Sequence, residues 1–578
     1  MTVVKGVMRQ CLALCAACAA SVALSGPLDA RLSFSLDGGK SWTNDFPTVV
    51  PGAVVRVRAA YTVADSWEKR DVICASIQTD KPFASQTKKM DNGGYMQRHK
   101  RYWKSSRENG EYVWDLDTGG LPPGTQMFML DICYWRQDDN GKACERITDH
   151  QPFYLKLTQD ITDALQRRID DTWRSGGGTV TVSKGDWTVR SLRLRSGITL
   201  HLEKDAHLWA SREPRDYDGI LENDRVEKFG GYPVHLGKED LSRRWENAIV
   251  KIYAATNVAI VGEQGSFIDG GNCADPTGEE GYRGPHGVWA ACATNVTLRN
   301  VTLRNTGNWA TRFIHCADLV FEGMTILGGH DGVHVRASDG VRIANCNIDT
   351  GDDSIAGYAN RDVLVTNCVL RSACSPFRFG GRNVLVVDSR AIGPADYPHR
   401  WTLTGAEKLR GAGPDEVAGR RTTGCAFQPF TDLRLRTWLK PGNIVFRNVT
   451  FENANRFMVF MNGLAAIWQD GVPIEDILFE NCIIRGMVEP SVVYAPEEHP
   501  LKLVFRNCEF SFRERKEAAF LVKNVNVVTE NVKTSNVGVF AAERKGLSYD
   551  DVPEFPSWRV ESAEQRAKWG LPPLRTAK

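Results

Sequence analysis

The sequence has no surplus of either charge: 72 Lys and Arg stand against 70 Asp and Glu among 578 residues. A nucleic acid or an anionic membrane as the main partner would call for a basic excess, so neither is expected. A second long apolar run is also missing. The single one, Cys11 to Leu24, is too short to cross a membrane comfortably. It follows Lys5 and Arg9 and ends in Ala23-Leu24-Ser25, the layout of a secretory leader. Residues 1–25 are therefore expected to be a signal peptide, and the mature chain to be secreted or periplasmic. No G-x-x-x-x-G-K-[ST], H-E-x-x-H or G-x-S-x-G occurs, which sets aside the common phosphate-loop, zinc-protease and serine-hydrolase signatures.

Three of the 15 Cys fall in the leader, and the twelve that remain contain no C-x-x-C pair, so a metal knuckle is not expected. Four of the twelve recur in one phrase, as Asn345-Cys346, Asn367-Cys368, Asn481-Cys482 and Asn507-Cys508. Cysteine returning at one place in a repeat reads as a small buried apolar side chain stacked in a column, not as a disulfide framework.

What the sequence does contain is that repeat. The pattern apolar-x-apolar-x-Asn/Gly/Asp runs Val296–Asn300, Leu319–Gly323, Val341–Asn345, Val363–Asn367 and Val384–Asp388, with last positions 23, 22, 22 and 21 residues apart. It resumes at Ile444–Asn448, Ile477–Asn481 and Leu503–Asn507, and an earlier copy is Val258–Gly262. Each copy reads as a short strand with alternate residues inward, closed by a residue that tolerates left-handed backbone. One copy cannot bury its own apolar face, but stacked coils about 4.8 Å apart can, with Asn side chains bonding along the stack. A coil of about 22 residues is the size of a parallel β-helix turn.

The remainder of the chain is organised differently. Residues 27–157 alternate strand and turn signals, from Arg31-Leu-Ser-Phe-Ser-Leu to Phe153-Tyr-Leu-Lys-Leu, and suggest an antiparallel, Ig-like β-sandwich. The expected architecture is all-β: this sandwich, then a β-helix domain over 158–545, then a C-terminal strap over 546–578. Residues 158–175 have the pattern of a helix that caps the first coil.

The repeat also locates candidate chemistry. Asp331 and Asp353 are 22 residues apart, which is one coil, so they should stack, with Asp352 beside them. Three clustered carboxylates repel, and one should hold a proton near neutral pH. That supplies an acid and a base together, as glycoside hydrolysis requires. One coil earlier in the same column is Trp309, a possible sugar-stacking wall, and one coil later is Ser375. Other readings stay open at this level. The aspartates could cap turns; or they could bind Ca²⁺, with Arg378 as the base of a β-elimination. His330 and His334 flank Asp331, and one solvent-facing His near the cleft is expected.

Over residues 160–508 the chain resembles the polygalacturonase-like glycoside hydrolases of family 28, within the pectin-lyase-like β-helix superfamily. The matching phrases run in order: Gly176-Gly-Gly-Thr-Val-Thr-Val, Leu200-His-Leu-Glu-Lys-Asp-Ala, Arg244-Trp245-Glu246, Gly265-Ser-Phe-Ile-Asp269-Gly, Asn308-Trp309 and His315-Cys316. Asp331-Gly332-Val333 and Thr350-Gly351-Asp352-Asp353 follow and are the most specific. The resemblance implies a right-handed helix and hydrolysis with inversion, without a cofactor. By position it makes Asp352 the general acid, and Asp331 and Asp353 the residues that hold and deprotonate the water.

Two departures bear on the substrate. Where the family has Gly-His-Gly, this chain reads Ser372-Ala-Cys374-Ser-Pro-Phe-Arg378-Phe-Gly-Gly. Where the family has the Arg-x-Lys that binds a substrate carboxylate, it reads Phe457-Met-Val-Phe-Met-Asn462. An insertion between Ser389 and Gly442 carries nine Lys/Arg against five Asp/Glu, with His399-Arg400-Trp401 among them. Arg suits bidentate carboxylate recognition, so Arg378 and Arg400, with His399 and His330, are candidate contacts to an acidic sugar. The expected partner is a polysaccharide or oligosaccharide; a glycan-binding β-helix without turnover is the alternative from another class.

Overall fold

Period-two alternation in the first 160 residues gives way to coils, and the computed structural model follows the change. It describes residues 28–547 apart from 51–52, 64–72, 80–87, 90–94, 102–107, 119–120, 122–123, 218–225, 227, 230–231, 235–246, 410–419, 432–435, 437 and 463–471. The leader, Arg244-Trp245-Glu246 and nearly all of the strap lie outside the described residues. The chain divides into two compact units, 1–157 and 158–578.

In the first unit, strands Leu28–Ser35, Val54–Val63 and Glu108–Asp117 form one antiparallel sheet. A second, six-stranded sheet centres on the long hairpin Gly124–Gln137 and Ala143–Leu157. The two sheets share one core, with Val57 and Trp114 from one and Phe128 and Phe153 from the other.

The second unit is a right-handed parallel β-helix. Among the described residues, thirty-three strands, from Gln159–Asp160 to Lys533–Glu543, pair in parallel. Three strands make one coil: Thr311–Ile314, Ala317–Glu322 and Thr325–Gly328 pair with Val333–Arg336, Asp339–Ala344 and Asn347–Thr350 of the next. Register holds from coil to coil, so Leu298, Phe321, Ile343, Val365, Val386, Phe446, Phe479 and Phe505 form one inward column. Phe446, Phe479 and Phe505 stack at 5.0 Å per step. Each such side chain contributes about 1.5–3 kcal/mol through burial.

The Asn that ends each repeat has two functions. Asn345, Asn367, Asp388, Asn448, Asn481 and Asn507 all have φ between 50° and 57°, which turns the chain into the next strand. Their side chains form a ladder: the Asn367 amide donates to Asn345 at 2.7 Å, Asn448 to Asp388 at 2.9 Å, and Asn481 to Asn448 at 3.2 Å. Behind it Cys346, Cys368, Cys482 and Cys508 are buried thiols, as the repeating phrase predicted.

Helix Thr162–Arg174 lays Leu165 and Ile169 on the first coils, and Asp160 accepts from the Thr162 amide at 2.8 Å to begin it. At the far end Leu547, in the first residues of the expected strap, is buried with Cys425, Val459, Met461 and Val492.

Candidate active site

Backbone ladder bonds set the column that the spacing anticipates. The Ala310 amide donates to the Asp331 carbonyl at 2.8 Å, and the Gly332 amide to the Asp353 carbonyl at 2.8 Å. The Ser354 amide donates to the Ser375 carbonyl at 3.1 Å, so Trp309, Asp331, Asp353 and Ser375 occupy one position of four successive coils. Thr350 and Ser372 hydroxyls both donate to the Asp352 carbonyl, at 2.9 and 2.5 Å, and fix the turn that presents the pair. Carboxylate oxygens of Asp331, Asp352 and Asp353 lie within 4.8 Å of one another. The three residues are 4%, 3% and 2% exposed.

Their surroundings differ. Asp352 faces two cations, Arg400 Nη1 at 2.9 Å and Arg283 Nη2 at 3.8 Å, and the ring of His399, whose Nε2 is 3.5 Å away. Burial alone would raise its pKa, but His399, Arg283 and Arg378 outweigh it and hold the carboxyl well below the usual range. Asp353 meets Arg378 Nη1 at 3.5 Å. Burial nevertheless pushes Asp353 up to about 7, against the pull of Arg378 and helped by the charge on Asp352. Burial also raises Asp331 well above the usual range, with charge on Asp352 and Asp353 adding to the rise. The surroundings therefore favour the ionised form of Asp352 and the protonated forms of Asp331 and Asp353.

Asp331 also has a neighbour that sequence reasoning did not assign. His334 Nδ1 lies 2.6 Å from Asp331 Oδ2, and Arg336 Nε donates to His334 Nε2 at 2.8 Å. His334 is 2% exposed, because its ring turns back between Trp309 and the carboxylate. Trp309 stacks on that ring at 3.9 Å and 8° and is itself 6% exposed. The indole thus stands behind Asp331 and backs His334, instead of presenting the open wall that stacking a sugar would need.

The insertion reaches the same place. Pro398 packs so closely that a Cβ on Gly351 would meet its carbonyl oxygen at 2.0 Å, which is why the turn before Asp352 carries glycine. Thr404 and Glu407 form a capping box, amide to carboxylate at 2.7 Å and amide to hydroxyl at 3.2 Å, that starts the short helix Gly405–Leu409. That helix carries Lys408 to 5.4 Å from the Tyr282 ring centre. A narrow cleft results, lined by Asn272, Tyr282, His330, Tyr397, Arg400 and Lys408. Of the expected substrate contacts, His330 and Arg400 line it. His399, 1% exposed, is turned to Asp352, and Arg378 lies between Asp353 and the Phe430 ring at 4.8 Å.

Arg283 was also missed. It is 1% exposed, meets Glu279, Glu280 and Asp352, and donates to Asn308 Oδ1 at 2.9 Å. Its one sequence signal is its setting beside Glu279 and Glu280, since a buried Arg needs such partners. The strand Ala454–Met461, where the family's Arg-x-Lys would fall, is buried throughout. Among the described residues, two sets of donors have the spacing to hold a cation, Asp331/Asp352/Asp353 and Asp352/Cys374/His399. Arg283, Arg378 and Arg400 already supply positive charge within 4 Å of the aspartates. Burial works against the Arg378 cation, but the neighbouring Asp353 and Asp352 carboxyls outweigh it and favour the charged form.

Residues 235–374 match the family described as glycosyl hydrolases family 28. A protein named "Probable polygalacturonase" from Vitis vinifera is 25% identical over 218 residues, 36% of this chain and 42% of that one. An exopolygalacturonase of Oenothera organensis is 39% identical over 80 residues, 13% of this chain and 22% of that protein. The chain thus spans less than half the length of these curated relatives. Among solved structures, the family 28 exopolygalacturonase of Yersinia enterocolitica aligns over 85% of this chain and 97% of its own, at 14% identity and TM-score 0.44.

Proposed function

We propose, for a chain whose central coils are polygalacturonase-like and of the family 28 type, an inverting glycoside hydrolase that cleaves an acidic, pectic polysaccharide or oligosaccharide of the plant cell wall. The observation that carries the reading is the unequal treatment of three carboxylates within 4.8 Å: cations surround Asp352, while burial dominates at Asp331 and Asp353. Such a cluster shares fewer protons than it has carboxyls, and the position of the cations decides which group holds one.

In this reading Asp352 protonates the leaving oxygen, and Asp331 and Asp353 position the attacking water and take its proton. The resting arrangement has the opposite polarity, with Asp352 ionised. A substrate carboxylate that pairs bidentately with Arg400 weakens its 2.9 Å contact to Asp352 and so favours protonation of that group. One of the neighbours' protons then passes to Asp352 and the other to solvent. Arg400 and Lys408 line the cleft and receive the uronate in place of the missing Arg-x-Lys. Export follows from the leader-like residues 1–25.

The experiment is product release from pectic and neutral polysaccharides, with reducing ends and ultraviolet absorbance read together, for wild type beside Asp352→Asn. Reducing ends without absorbance, lost in the variant, support hydrolysis; absorbance that rises with product would mean a lyase.

A second reading draws on depth: carboxylates 2–4% exposed suit a β-helix that binds glycan without turnover. It predicts no release from any substrate and equal glycan binding by wild type and Asp352→Asn.

A further inference from the structure

Asp331 is the only one of the three carboxylates with a histidine between it and an arginine on its own coil. The order is Arg336 Nε to His334 Nε2 at 2.8 Å, then His334 Nδ1 to Asp331 Oδ2 at 2.6 Å. Because Arg336 donates to Nε2, that nitrogen must be the acceptor, and the ring proton sits on Nδ1, pointed at the carboxyl. The ring plane is set from behind by Trp309, parallel to within 8° at 3.9 Å. Arg336 also lies 4.9 Å from the Trp309 ring centre and 5.2 Å from that of Tyr358, so it is held as well.

We propose that His334 is a positioning residue for Asp331: as a neutral imidazole it holds the carboxylate in one orientation and supplies the N–H that stabilises its ionised form. The inference rests on the hydrolase reading, in which Asp331 takes a proton from water. His334 itself makes no contact with substrate in this scheme. Burial keeps the ring neutral, reinforced by charge on Arg336, Arg312 and Arg378, with His286 also facing it. The groups facing Asp331 are Asp352, Asp353, Arg283 and Arg378, together with His334. His334 is hydrogen-bonded directly to the Asp331 carboxyl, so its removal acts on that carboxyl first. Trp309 and Arg336 are the supports that keep the ring in place.

His334→Asn retains an amide N–H near the Nδ1 position, and His334→Ala removes it. In His334→Ala, kcat should fall about 100-fold, the scale of a misplaced catalytic group, with KM within about twofold. The acid limb of the pH–rate profile should move to higher pH, because an ionised Asp331 without its donor is costlier and its pKa rises. His334→Asn should recover part of the rate and return the limb toward wild type. Equal losses in both variants with no movement of the limb would reduce His334 to a packing residue and overturn the proposal. A second readout does not depend on turnover. The Tm of His334→Ala should fall below that of His334→Asn by an amount that grows as pH rises and Asp331 ionises. A pH-independent gap would overturn the proposal even if wild type released no product, an outcome that by itself counts only against the hydrolase reading.

Discussion

Arg400 Nη1 stands 2.9 Å from Asp352 Oδ2 although the two belong to different parts of the fold, a long insertion and a coil turn. Arg400 Nη2 is also 3.3 Å from Glu280 Oε1, so one guanidinium ties together the insertion and two turns of the helix. Its position makes the insertion part of the site's electrostatics as well as of its wall.

Replacing Arg400 with Gln should therefore have two effects. KM for polygalacturonate rises about tenfold with the loss of a charge-assisted bond, a contribution of about 1.5–3 kcal/mol. The alkaline limb of the pH–rate profile moves up, because Asp352 with one cation fewer keeps its proton to higher pH. Steady-state kinetics on polygalacturonate against its methyl ester, across pH, check both, and the preference for the free acid should shrink.

Asp353 links the site to stability. Its folded-state pKa, about 7, is above the ordinary 3.8, so the favourable contribution of the neutral form is complete below pH 3.8 and is lost as pH rises toward 7. Asp353→Asn, which cannot ionise, should raise Tm by about 2 °C or more at pH 8 and leave it nearly unchanged at pH 4. Calorimetry at the two pH values decides it.

Phe479 sits between Phe446 and Phe505 in the inward column, at 5.0 Å from each. Phe479→Ala should cost about 3–5 kcal/mol, with the loss concentrated in the coils around it. Urea unfolding followed by hydrogen exchange would show protection falling there first.

Arginines already provide the positive charge beside the aspartates, so activity should survive dialysis against a chelator and gain nothing from added Ca²⁺. Activity that disappears with chelator and returns with Ca²⁺ would favour the elimination reading.

Much of this arrangement could be read from the sequence, for an identifiable reason. A coil repeats both a hydrophobic pattern and a turn residue, so the 22-residue offset between Asp331 and Asp353 becomes a single ladder step, and the terminal Asn of each phrase becomes a side-chain ladder. Contacts that cross the repeat were not readable in this way. Arg283 reaches Asp352 from a turn three coils earlier, and His399 reaches it from the insertion, which has no counterpart in the repeat. Of His330 and His334, one was expected to face solvent near the cleft, with nothing in the sequence to say which. His330 lines the cleft, whereas His334 lies in a covered column with Arg312 and Arg378 and bonds back to Asp331. Trp309 looked like a sugar platform because its place in the column was right, but the stacked His334 occupies its face.

The most direct measurement is the configuration of the first-formed reducing end, followed by proton NMR as the enzyme acts on an α-linked oligogalacturonide. The account predicts β-anomer appearing first, mutarotating later, and no product from Asp352→Asn. An α-anomer appearing first, an unsaturated end group, or undiminished release by the variant would contradict it.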